Sequence, residues 1–138
     1  MTTITGSCVC GQVEFSVEDQ FVYAGYCHCS LCRKSSGATG TAIGGIFKAN
    51  FSIVKGEEFV KKHKRSKETV SCFCGQCGST LYGEKSTTGM VHVRYGALNS
   101  SPKLLPQAHM HVASKADWYE ITDALPQFSE FPPRACSH

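Results

Sequence analysis

The chain has 138 residues, 41% of them hydrophobic and 18% charged, and most simply forms one domain spanning 1-138 that buries about two-thirds of its unfolded surface. Fourteen Lys and Arg against eleven Asp and Glu leave +3, too little to imply a nucleic-acid partner. There is no basic, apolar leader and no run long enough to cross a bilayer, so the expectation is a soluble, cytoplasmic protein without membrane partners.

In chain order, the first signal is a cysteine pair, Cys8-Val9-Cys10-Gly11, followed by Val13, Phe15 and Val17 alternating with polar neighbours, the period of a half-buried strand. A second strand is expected over Phe21 to Tyr26. It runs into Cys27-His28-Cys29-Ser30-Leu31-Cys32, where Ser30 to Ser35 reads as a short helical turn. Strand patterns follow at Thr39 to Phe47 and Phe51 to Val54. The basic run Lys61 to Lys67 reads as a solvated edge strand or loop, where lysines discourage pairing with other molecules. Its alternative reading is a rim that attracts anions.

A third cluster, Cys74-Gly75-Gln76-Cys77-Gly78, precedes strand patterns at Ser79 to Tyr82, Met90 to Tyr95 and His109 to Val112, with a second helical turn at Ser114 to Trp118. Glycines 6, 11, 25, 37, 56, 83, 89 and 96 read as turns between these segments. The class is therefore mainly β, built from short strands that need additional fastening. Trp118, the single tryptophan, is expected in the core, His109 and His111 on one strand face as structural residues, and Cys136 as a free thiol in a Pro-containing tail.

Seven of the nine cysteines fall in the three clusters, with the gaps that metal-binding turns use. Closely spaced thiols of this kind read as metal sites in a reducing compartment rather than as disulfides. Cys8, Cys10, Cys74 and Cys77 are expected to form a closed tetrahedral zinc site, because each pair ends in a glycine turn leading into a strand. Cys27, Cys29 and Cys32 can converge on a second zinc ion, since the helical turn brings the third sulfur back beside the first two. Three protein ligands leave one position for substrate, the pattern of a catalytic site. Cys72 or a histidine could close that site, and Cys72, two residues before Cys74, competes for either metal. His28 lies within the cluster but is expected to face away from the metal. Two zinc ions per chain would bring the formal charge close to zero.

The segments Gly6 to Phe15, Cys27 to Gly37 and Phe73 to Ser79, with Ser114-Lys115-Ala116-Asp117-Trp118, resemble the successive signatures of the glutathione-dependent formaldehyde-activating enzyme and centromere protein V family over about residues 4-119. The resemblance implies an Mss4-like fold, in which short antiparallel sheets are pinned by zinc. It also implies the same division into a structural site and a catalytic one. Two positions depart from the pattern: Cys72, and Asn99 where an acidic residue is usual.

The implied activity is that of a carbon–sulfur lyase, joining glutathione or a similar small-molecule thiol reversibly to formaldehyde or another small electrophile at the three-cysteine zinc site. Cys27, Cys29 and Cys32 serve as metal ligands in that scheme, and Arg33, Lys34 or the 61–67 run could meet the thiol's carboxylates. An alternative from a different class is a non-catalytic zinc module for protein or chromatin interaction, which would expect a closed second site.

Overall fold

The computed structural model describes residues 2–131. The proposed roles of the Pro132–Pro133 tail and Cys136 lie outside the described residues. Among the described residues there are ten strands and one α-helix: β1 (Thr3–Ser7), β2 (Glu14–Glu18), β3 (Tyr23–Cys27), α1 (Ser30–Ser36), β4 (Thr41–Phe47), β5 (Phe51–Lys55), β6 (Val60–Lys64), β7 (Thr69–Cys74), β8 (Thr80–Lys85), β9 (Met90–Arg94) and β10 (His109–Met110). The mainly β class expected from the sequence is the observed one.

The strands form two sheets, one of order β1-β2-β5 and one of order β10-β3-β4-β9-β8-β7-β6. Every pairing between neighbouring strands is antiparallel except β10 against β3. Alternation along β2 buries Phe15 and Val17, as its period-two pattern requires. These side chains meet Ile4 from β1, Ile46 from β4, Leu81 from β8, and Val91 and Val93 from β9 in one cluster. The core therefore lies between the small sheet and the central strands of the large one, a two-layer arrangement.

Several sequence expectations shift. β1 lacks an alternating apolar signal because only Ile4 is a large buried side chain in it, and Gly6 packs under the Phe15 ring rather than forming a turn. Gly25 and Gly83 likewise lie inside β3 and β8. The basic run forms β6, the outer strand of the large sheet, so the edge-strand reading holds. The helical turn expected at Ser114 to Trp118 falls at Val112–Ser114 instead. Trp118 is 74% exposed and takes no part in the core. A lone aromatic carries no periodicity, and Ala116 is the residue that turns inward there. His109 and His111 do not share a face: β10 ends at Met110, and His111 adopts a left-handed backbone with φ 55°.

Candidate metal centres

The turn between β1 and β2 and the turn between β7 and β8 face each other. Each places a glycine in the left-handed region immediately after its second cysteine, Gly11 at φ 77° and Gly78 at φ 81°. A side chain at those positions would strain the backbone that lets both sulfurs of a pair point the same way. Cys8 and Cys74 are buried, and Cys10 and Cys77 are exposed. Their four sulfurs lie within 4.8 Å of one another. Cys8 Sγ and Cys10 Sγ are 3.6 Å apart, and Cys10 Sγ and Cys74 Sγ are 3.8 Å apart. A tetrahedral ion with metal–sulfur bonds of about 2.3 Å needs sulfur–sulfur edges of about 3.8 Å. The cage therefore fits an ion of that kind.

Backbone amides complete the cage. Val13 N donates to Cys8 Sγ at 3.3 Å and Gln76 N to Cys74 Sγ at 3.4 Å, contacts that stabilise sulfur as an anion. Bonds from the Ser79 hydroxyl and backbone pull the Cys77 thiol down to about 5. Val9 N donates to Ser79 Oγ at 3.0 Å, joining the two turns directly.

The second centre forms where β3 runs into α1. Cys27 ends the strand, Cys29 caps the helix by accepting from Cys32 N at 3.2 Å, and Cys32 lies in the first helical turn. All three sulfurs lie within 4.8 Å of one another, with Cys27 and Cys32 buried and Cys29 half-buried. Bonds from the Cys27 and Cys32 thiols hold Cys29 far below the usual thiol range, while the same contacts push Cys27 up. One sulfur is thus already disposed to carry charge, which suits the cluster to a cation.

Cys72 belongs to neither group. It is fully buried, its thiol faces Glu84 Oε1 at 3.8 Å, and burial raises it to about 11. Its sulfur is not among those that converge within 4.8 Å of one another in either centre. Among the described residues no fourth Cys, His, Asp or Glu joins the three-sulfur cluster.

His28 turns away from the cysteines on either side, as expected, and is 2% exposed. Its Nε2 lies 2.8 Å from Nδ1 of His109, whose Nε2 lies 3.0 Å from both carboxylate oxygens of Asp123. Tyr26 stacks on His109, and Tyr119 on His28. These side chains line a cavity of about 300 Å³ with Thr39 and Thr41. His28 Nδ1 has no hydrogen-bond partner of normal geometry. Gly40 brings this wall close, since a Cβ there would lie 2.6 Å from the Cys27 carbonyl oxygen and 3.2 Å from His28 Nδ1.

A second depression, about 500 Å³, runs between the two centres and is lined by Val9, Ser35, Thr41, Ser79 and Arg94, among others. Asn99, the other departure from the family pattern, uses its amide fully. Its Oδ1 accepts from Ser7 Oγ at 3.1 Å, and its Nδ2 donates to Thr5 Oγ1 at 3.0 Å.

Sequence reasoning missed Asp123, Tyr119 and Arg94. Only Arg94 carried a signal, as the one permanent cation at the end of the strand Met90–Arg94. Asp123 lies in an irregular segment where nothing distinguishes it from a solvated acid.

Comparison with known proteins agrees with this architecture. A crystal structure of a Rhodobacter sphaeroides protein superposes with a TM-score of 0.58 at 24% identity, covering 72% of this chain and 91% of that one. That likeness concerns the fold. A Halomonas elongata protein, whose name provisionally makes it a glutathione-dependent formaldehyde-activating enzyme, is 31% identical over 126 residues, 86% of this chain and 80% of that protein. The model of the glutathione-dependent formaldehyde-activating enzyme family matches residues 3–114, a stretch that contains both cysteine centres. With the two cysteine centres inside the matched region, the chain belongs to the glutathione-dependent formaldehyde-activating enzyme family.

Proposed function

We propose that the protein is a zinc-dependent carbon–sulfur lyase that adds glutathione, or a similar thiol, reversibly to formaldehyde. Cys8, Cys10, Cys74 and Cys77 hold a structural zinc ion, and Cys27, Cys29 and Cys32 hold a catalytic one. Thiolate donors favour zinc over the hard ions calcium and magnesium. The observation that carries the reading is the contrast between the two centres: four sulfurs close the first, and three sulfurs with no fourth donor among the described residues leave one side of the second open. An interaction module would have no need of that open side.

In the forward reaction the thiol loses its proton, sulfur attacks the aldehyde carbon, a C–S bond forms, and the carbonyl oxygen takes up a proton to become a hydroxyl. A free thiol, with a pKa of about 8.5, is mostly protonated at neutral pH and is a weak nucleophile in that form. A zinc ion at the second centre would supply the means of deprotonating it. The cysteines fix the direction of approach. α1 holds Cys32 and is capped by Cys29, β3 holds Cys27, and the buried His28 and His109, anchored by the exposed Asp123, stiffen the connection between them.

The test is the rate of formaldehyde–glutathione exchange by NMR, with protein of verified zinc content. The parent is expected to accelerate exchange over buffer, and Cys29→Ser to abolish the acceleration while keeping the first zinc. Equal exchange by the parent and by buffer would sink the assignment.

A further inference from the structure

Two arginines from distant parts of the chain meet the segments that hold the three-cysteine centre, Arg65 at Cys32 Sγ and Arg94 at the hydroxyls of Ser35 and Thr41. Arg94 ends β9 and is 9% exposed. Its Nη1 donates to Thr41 Oγ1 at 2.6 Å and its Nη2 to Ser35 Oγ at 3.3 Å. Those hydroxyls accept two of its hydrogen bonds and bring no charge. Arg65, just beyond β6, lays Nη1 3.9 Å from Cys32 Sγ, and its Nε is buried without a hydrogen-bond partner. Thr41 Oγ1 in turn donates to the Cys32 carbonyl oxygen at 3.4 Å, which ties Arg94 to the turn that carries Cys32.

Neither arginine is matched by a carboxylate. The ion pairs among the described residues are Lys62–Glu84 and His109–Asp123, both elsewhere. Withdrawing a cation from water without a counter-charge is costly, so buried charges are ordinarily paired. Three thiolates on a divalent ion carry one net negative charge, against two positive charges on the guanidiniums. The centre thus falls one negative charge short of balance.

We propose that Arg65 and Arg94 balance the negative charge of a substrate thiolate on the open side of the three-cysteine centre. This rests on the open-site reading above and adds to it the residues that select an anionic sulfur over a neutral ligand. The charge deficit favours the deprotonated thiol and disfavours a neutral occupant. Both arginines are positioning residues in this role, acting through the field at the sulfur and not through a bond to the aldehyde. Their hydroxyl partners keep Arg94 from turning away: Ser35 is fixed on α1, and Thr41 opens β4.

The experiment substitutes cobalt(II) for zinc at both centres, verified at two ions per chain, and follows thiolate-to-metal charge-transfer absorption as 2-mercaptoethanol is added. That thiol carries no carboxylate, so any effect of the arginines reports on sulfur charge and not on a grip at the far end of glutathione. The parent is expected to gain intensity that saturates. Arg65→Met and Arg94→Met should each need on the order of tenfold more thiol to reach half-saturation, and Arg65→Lys and Arg94→Lys should recover most of the loss.

Parent-like half-saturation in both methionine variants would overturn the proposal while leaving the open-site reading intact. So would a loss confined to glutathione, which would make the arginines a carboxylate clamp. No spectral change in the parent would remove the open-site reading and this inference with it. Arg65→Met, at a half-buried position, carries the test by itself if Arg94→Met loses the parent's circular dichroism.

Discussion

His92 illustrates how burial sets chemistry at a single residue. Its ring lies inside the large sheet with the Tyr23 hydroxyl 2.6 Å from Nε2, and burial lowers its pKa from 6.5 to about 4. Between those values the unfolded chain binds a proton that the folded chain refuses, so stability rises with pH through that window. Its contribution is fully present above pH 6.5 and is lost as pH falls toward about 4, a change of about 3 kcal/mol. His92→Phe should flatten the decline between pH 6.5 and pH 5 in urea titrations at fixed zinc. A decline of parent size in the variant would assign the acid sensitivity to other groups. Asn99 is the opposite case, an apparent departure whose amide has its own work, donating and accepting between Thr5 and Ser7.

At the scale of elements, the second centre depends on how closely β3, α1 and the loop before β4 approach. Gly40 permits that approach, and Gly40→Ala would drive a Cβ to 2.6 Å from the Cys27 carbonyl oxygen. The backbone carrying Cys27 must then move. The expected result is protein that retains one tightly held zinc ion and binds the second at least about tenfold more weakly, measured by competition with a chromophoric chelator. Two ions held as in the parent would show that the loop accommodates the methyl group. Elements were readable in proportion to their periodicity. β2 announced itself through Val13, Phe15 and Val17, and α1 through the cysteine spacing. β1, with one large buried side chain, and β7, whose register shifts between Cys72 and Phe73, did not. In the Lys61–Lys67 run the edge-strand reading holds for β6, while Arg65 at its end turns inward to Cys32.

For the molecule as a whole, the two centres occupy unlike places. The four-cysteine cage lies where the turn of the small sheet meets a turn of the large one, whereas the three-cysteine centre lies where the outer strands β10 and β3 meet α1. Removing metal should therefore occur in two stages. With rising chelator the first ion to leave should come from the three-cysteine centre with little change in far-ultraviolet circular dichroism, and the second should leave together with the folded structure. Loss of both ions in one step that coincides with unfolding would show that the centres are not independent. The cysteine groups were legible because ligand spacing is local. The His28–His109–Asp123 chain and the arginine pair were not, because their members are joined by tertiary packing that no local pattern encodes.

The cage also bears on the stability of the fold. Cys10 and Cys74 are 64 residues apart in sequence and 3.8 Å apart in space. An ion that holds two points so distant together only in the folded state would add its binding free energy directly to the free energy of folding. A disulfide would also join the two points, but a thiol able to enter the second centre is also a reductant, and thiolates exchange with disulfides. A staple of thiolates around an ion has no sulfur–sulfur bond for that thiol to attack, so the fold can be locked by the same element its proposed substrate carries.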